Sequence, residues 1–247
     1  MPDSFFWEIH SGLEREGPGD DASLRRALGM MKALPANPGI LDVGCGPGAQ
    51  SLALAELTGG TITSVDTHQP FLDALNLAAM ARGVADRVRT VNASMANMPF
   101  RERSFDAIWS EGAICMMGFR EGLTNWKRFL RRGGYIAVTE PCWTKPDQEI
   151  PPQAREWWKE YPAIASVEKI VSVAAETGYR GIRHFVLPAS AWWNYYGPKE
   201  SRIATLRGKY RDDPAALDKL AAAQSEIELY RLFGDCYSYL FVVMQLP

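Results

Sequence analysis

The chain has 247 residues, 47% of them hydrophobic and 23% charged, with a formal net charge of -2. That length suffices for one sizeable core, and the composition excludes a disordered or fibrous chain. The slightly acidic balance provides no overall positive field to draw the chain to DNA, RNA or an anionic membrane.

The N-terminus, Met1 to Glu8, has neither the basic start nor the apolar stretch of a secretory signal, and no apolar run approaches a bilayer-spanning length. Cys45, Cys115, Cys142 and Cys236 form no CxxC pair, and His10, His68 and His184 are scattered. These patterns predict thiols in a reducing compartment, no structural metal and a cytoplasmic protein.

Taken in chain order, Asp20 or Asp21 is placed to N-cap a helix reaching about Lys32. Strands are predicted at 40–43, 61–65, 88–92, 105–110, 134–139, 185–187 and 240–245, with helical patterns between them. Pro70 suits the first turn of a helix that Gly83 closes, and Gly178 closes another. Arg128, Arg131 and Arg132 read as the solvated end of a helix. The alternation predicts an α/β fold, doubly wound around a mainly parallel sheet. After Glu140 the chain turns rich in tryptophan, tyrosine and proline over residues 141–163 and 188–235. These stretches are expected as lid insertions at the sheet edge of a single domain, with 34–140 as its ligand-binding core and 215–232 as an amphipathic helix.

The run Ile40-Leu41-Asp42-Val43-Gly44-Cys45-Gly46-Pro47-Gly48-Ala49 leads an apolar strand into a tight glycine turn and then a helix. Glycines let a ligand approach bare backbone, and the helix start offers free N–H groups. From Gly44 to Ala49 the run also satisfies a loose dinucleotide fingerprint. Asp42 is a poor neighbour for a pyrophosphate and a good one for a ligand carrying ammonium and sulfonium charge. Asp66, ending the second strand, is placed to accept two ribose hydroxyls, whichever cofactor bears them.

Together with Asn92 to Phe100 and Ser104 to Gly112, these segments resemble class I S-adenosylmethionine (SAM)-dependent methyltransferases. The similarity is greatest to the small-molecule group that includes the ubiquinone- and menaquinone-biosynthesis enzymes. It runs over about residues 15 to 140 and implies a Rossmann-like, seven-stranded sheet with an antiparallel last strand. It further implies that Gly44, Gly46 and Gly48 approach the methionine and adenosine portions of SAM, and that Asp42 supports the ammonium group. Asp66 would take the ribose, with Thr67 beside it. Ser94 stands where the family usually has an aspartate for adenine, and Met95 offers a backbone N–H and an apolar contact. Ser110 and Glu111 would face the transferred methyl, and Arg15-Glu16-Gly17-Pro18-Gly19 would lie over the cofactor.

Methyl transfer from a sulfonium asks the protein mainly for alignment and exclusion of water. Where a base is needed, Glu111 is the best-placed candidate, with Glu140 second; holding the cofactor is the alternative role for Glu111. Trp192, Trp193, Tyr195 and Tyr196 either wall an acceptor pocket opening toward Glu111 or seal the insertion onto the sheet. The expected partner is a small-molecule acceptor rather than nucleic acid or membrane; the composition leaves the acceptor and the oligomeric state open. Two other functions share the glycine loop: a non-catalytic SAM-binding protein, and an NAD-dependent oxidoreductase, which gives no reason for the 94–100 and 110–112 segments.

Overall fold

Short β-branched runs bounded by glycine turns form the middle of the molecule. The computed structural model describes residues 4–160 and 164–247, so residues 161–163 of the expected first insertion lie outside the described residues. The strands are β1 (Gly39–Val43), β2 (Thr61–Asp66), β3 (Val88–Asn92), β4 (Phe105–Ser110), β5 (Leu130–Trp143), the two-residue β6 (Ala165–Ser166), β7 (Arg180–Val186) and β8 (Tyr237–Gln245). Their order is β3-β2-β1-β4-β5-β8-β7, with β6 paired to the end of β5. The strands β1 to β6 pair in parallel, and β8 runs antiparallel between β5 and β7. The chain is therefore Rossmann-like, with the anticipated seven strands and antiparallel last strand and one additional short strand.

Strand alternation decides which side chains meet which helices. In β1, Ile40 joins the core shared with α2 (Asp21–Leu28), α3 (Ala49–Leu57) and α4 (Gln69–Ala81). Leu41 and Val43 join the opposite core, under α5 (Phe119–Trp126) and α7 (Val167–Glu176). Burying residues such as Ile40, Leu41 and Leu75 contributes about 1.5–3 kcal/mol each. Asp20 caps α2 as expected, its carboxylate accepting from the Ser23 amide at 2.7 Å, but the helix stops at Leu28, short of Lys32. Gly83 and Gly178 both take positive φ after helix ends.

Other boundaries also differ from the sequence expectation. β5 extends through Trp143 because β8 pairs with it continuously from Tyr135 to Trp143. Its start includes Arg131 and Arg132, so these two lie on an exposed strand end, while Arg128 lies in the helical turn Lys127–Phe129, as expected; Arg131 pairs with Asp106 at 2.7 Å. β7 starts at Arg180 rather than 185, as an edge strand with mostly exposed residues that blur its apolar pattern.

The aromatic stretches become helices. α6 (Pro152–Trp157) follows β5, while α8 (Ala189–Lys209) and α9 (Pro214–Phe233) lie between β7 and β8. They form a third core with α1 (Ser4–His10), in which Trp192 stacks on Tyr230 at 4.5 Å and donates to Ser238 Oγ at 3.0 Å. Trp192, Tyr195 and Tyr196 are buried, and Trp193 is half-exposed beneath the Arg231 guanidinium. These four rings therefore seal the helices onto one another, and three of them have no surface to offer an acceptor pocket facing Glu111.

Candidate active site

The glycine turn after β1 is shaped by left-handed backbone. Gly44, Gly46 and Gly48 have φ of 70°, 54° and 95°. A Cβ at Gly48 would collide with the Leu75 side chain, and one at Gly44 with Ala113. Other residues would therefore meet both torsional strain and overlap here. The turn is held from behind, since the Gly44 and Cys45 amides donate to the Val65 carbonyl at 2.8 and 3.0 Å.

Asp66 closes the turn from the end of β2. Its carboxylate accepts from the Gly46 amide and from the His68 amide, each at 2.9 Å. Beside it lies a cavity of about 300 Å³ at the carboxyl ends of the strands, lined by Gly44, Asp66, Thr67, Ser94, Met95 and Met117, among others. Five of the predicted cofactor residues thus share one wall. Met116 and Met117, which also line the cavity, were not singled out from the sequence; their position after Gly112 was the available signal. The Met95 carbonyl is engaged on its far side by Trp126 Nε1 at 3.0 Å.

Asp42 does not reach this cavity, contrary to the ammonium role that the resemblance implied. The strand alternation turns it under α3, where it is fully buried and accepts from Ser51 Oγ and, at 3.4 Å, from Gln50 Nε2. Burial pushes its carboxyl up to about 7. Ser110 is likewise turned inward, donating to the Val43 carbonyl at 2.8 Å, and so pins β4 to β1 instead of facing a methyl group.

The Glu111 side chain is buried beneath the N-terminal segment. Trp109 Nε1 donates to it at 2.8 Å and the Arg15 guanidinium at 3.3 Å. Burial pushes its carboxyl above the usual range, opposed chiefly by the charge of Arg15. The expectation that residues 15–19 cross the site has a geometric counterpart, since Glu16 lies against Gly46 and Gly17 against Gly112. Glu16 also holds the His10 ring, while its Oε1 is buried with no partner among the described residues. The segment is braced by α8, where the Gly19 amide donates to the Ala191 carbonyl at 3.1 Å and Asn194 Nδ2 to the Gly19 carbonyl at 3.2 Å. That bracing role of α8 was invisible in the sequence.

Among the described residues no cluster of three or more His, Cys, Asp or Glu side chains is arranged to hold a metal ion, and no helix is long and apolar enough to cross a membrane. A glycine turn, an acidic end on the neighbouring strand and a cavity at the strands' carboxyl ends are the arrangement of the Rossmann-like class, whose ligands bind at that end of the sheet.

Residues 41–138 match the family described as "Methyltransferase domain". The chain is 26% identical to 27-O-demethylrifamycin SV methyltransferase of Amycolatopsis mediterranei (strain S699) over 97% of this chain and 86% of that one. It is 27% identical to sarcosine/dimethylglycine N-methyltransferase of Aphanothece halophytica over 56% of this chain, an alignment spanning about half, 52%, of that relative. A SAM-dependent methyltransferase from Geobacter sulfurreducens, solved in complex with S-adenosyl-L-homocysteine, superposes with a TM-score of 0.86 at 21% identity, covering 100% of this chain and 99% of that one. Residues 41–138 thus carry the match to a methyltransferase domain, and the chain as a whole shares the fold of the solved SAM-dependent methyltransferase.

Proposed function

We propose that the chain binds SAM along the cavity wall formed by Gly44, Asp66, Thr67, Ser94 and Met95, and transfers its methyl group to a small-molecule acceptor. The observation that carries this reading is the convergence of those five residues on one cavity at the carboxyl ends of the sheet. The donor set fits the cofactor. Asp66 retains carboxylate lone pairs for ribose hydroxyls, Ser94 and Met95 form a polar and apolar edge for adenine, and the glycine turn admits a ligand to bare backbone. With the Asp42 oxygens covered, the unpartnered Glu16 Oε1 beside Gly46 is the better acceptor for an ammonium group.

Bound SAM supplies an electrophilic methyl on a sulfonium, which leaves as a neutral thioether. The protein's own contribution is placement and dryness. Arg15 and Glu111 clamp residues 15–19 over the glycine turn, and α1 and α8 hold that segment from outside, excluding water from the reacting centre. Glu111 serves here as a clamp, its carboxylate already accepting from Arg15 and Trp109.

The two relatives named above methylate through oxygen and nitrogen respectively, as their names state, so the atom methylated does not follow from similarity. Incubating the protein with methyl-labelled SAM and a cell extract, then fractionating by size, tests the reading. Label is expected in the small-molecule fraction; label confined to protein or RNA would contradict it.

A further inference from the structure

On β5, Ile136, Val138 and Cys142 face the core under α5 and α7, and the two-residue period puts Glu140 on that same face. The residue is 1% exposed, and its Oε2 has no hydrogen-bond partner among the described residues. Leaving a buried acceptor unmatched is costly, and such a group calls for an occupant that satisfies it.

Glu140 lies at the floor of a cavity of about 700 Å³ between α5 and α7. Phe119, Ile164, Ile170 and Val173 make its walls apolar, while Glu121, Lys169 and Arg120, the last paired with Glu176, are on its lining. This cavity and the one assigned to SAM flank the same short stretch of chain. Met116 and Met117 line the first, while Gly118 and Phe119 line the second. The Gly112 amide, donating to Thr139 Oγ1 at 2.7 Å, ties that stretch to the residue before Glu140.

We propose that the α5–α7 cavity receives the methyl acceptor, a largely apolar, uncharged molecule that presents a hydroxyl to Glu140. This rests on the methyl-transfer reading above. A hydroxyl supplies the donor that Oε2 lacks, and the apolar walls match a hydrocarbon body. A cationic head is disfavoured because burial pushes the Glu140 carboxyl up to about 8, leaving it mostly protonated at neutral pH. The protonated carboxyl both donates and accepts, so a hydroxyl satisfies it twice, whereas an ether oxygen can only accept.

The test titrates three probes of one shape at pH 7: 2-naphthol, 2-methoxynaphthalene and 2-naphthylmethylammonium. Each is titrated with and without saturating S-adenosylhomocysteine. We expect 2-naphthol to bind at least tenfold more tightly than the methoxy compound, and the ammonium probe to bind most weakly. Glu140→Leu should abolish the preference for naphthol, Glu140→Gln, which keeps an acceptor oxygen, should retain it within about threefold, and Val173→Trp should block all three. Unchanged S-adenosylhomocysteine affinity in the variants reports that they remain folded. Equal binding of naphthol and methoxynaphthalene, no binding of either, tighter binding of the ammonium, or a preference that survives Glu140→Leu would each overturn the proposal. Failure of S-adenosylhomocysteine to bind the wild type would instead overturn the donor assignment, and the titrations without it would still report on the cavity.

Discussion

Replacing Asp66 by Ala removes a carboxylate with two jobs. In the free protein it accepts from the Gly46 and His68 amides at 2.9 Å each, holding the glycine turn against β2. With SAM bound, the same oxygens would accept two ribose hydroxyls. Hydrogen bonds to a charged acceptor are worth roughly 1.5–3 kcal/mol each, so the gross loss in the complex is about 3–6 kcal/mol. Water entering the half-open cavity recovers part of that, and about 1.4 kcal/mol suffices for a tenfold change. The SAM dissociation constant is therefore expected to rise at least tenfold by calorimetric titration. The freed amides belong to the half-exposed His68 and the buried Gly46, so the variant should fold with stability lowered by about 1–3 kcal/mol in urea. Unchanged SAM affinity in a folded Asp66→Ala protein would refute the ribose assignment.

Other outcomes follow from the same geometry. Glu111→Gln should weaken SAM binding through a loosened Arg15 clamp and leave turnover at saturating SAM within about threefold; lost turnover at unchanged affinity would make Glu111 a base. Asp42 has a folded-state carboxyl raised from 3.8 to about 7 by burial, so its contribution to stability is fully present below pH 3.8 and is lost as pH rises through about 7. The shift corresponds to roughly 4 kcal/mol. Asp42→Asn should consequently gain in melting temperature relative to wild type between pH 5 and pH 8.5, and parallel curves would contradict the buried-acid account. Trp192→Ala should cost about 3–5 kcal/mol in urea unfolding, whereas Trp193→Ala, at a half-exposed ring, should cost under about 1 kcal/mol.

Much of this was legible locally. The apolar runs of β1 and β2, the glycines with positive φ and the acidic end of β2 are short-range signals, and they led to the cavity wall at Gly44 and Asp66. Asp42 shows a signal overridden. Its place two residues from Ile40 already pointed it at α3, but its residue type suggested a ligand for a cation. The aromatic residues of α8 were ambiguous because a tryptophan-rich helix suits a core or a pocket equally well; the packing of Trp192 on Tyr230 and Tyr237 decides for the core. What sequence could not supply was convergence. The meeting of Glu140 with α5 and α7, and of residues 15–19 with α8, depends on contacts between distant parts of the chain.

The central claim is that this glycine turn and Asp66 hold a SAM-type nucleoside and not a dinucleotide. Calorimetric titration of the intact chain with S-adenosylhomocysteine, and separately with NAD, tests it most directly. The account predicts one S-adenosylhomocysteine bound per chain and no binding heat from NAD. Saturable binding of NAD, with none of S-adenosylhomocysteine, would contradict it.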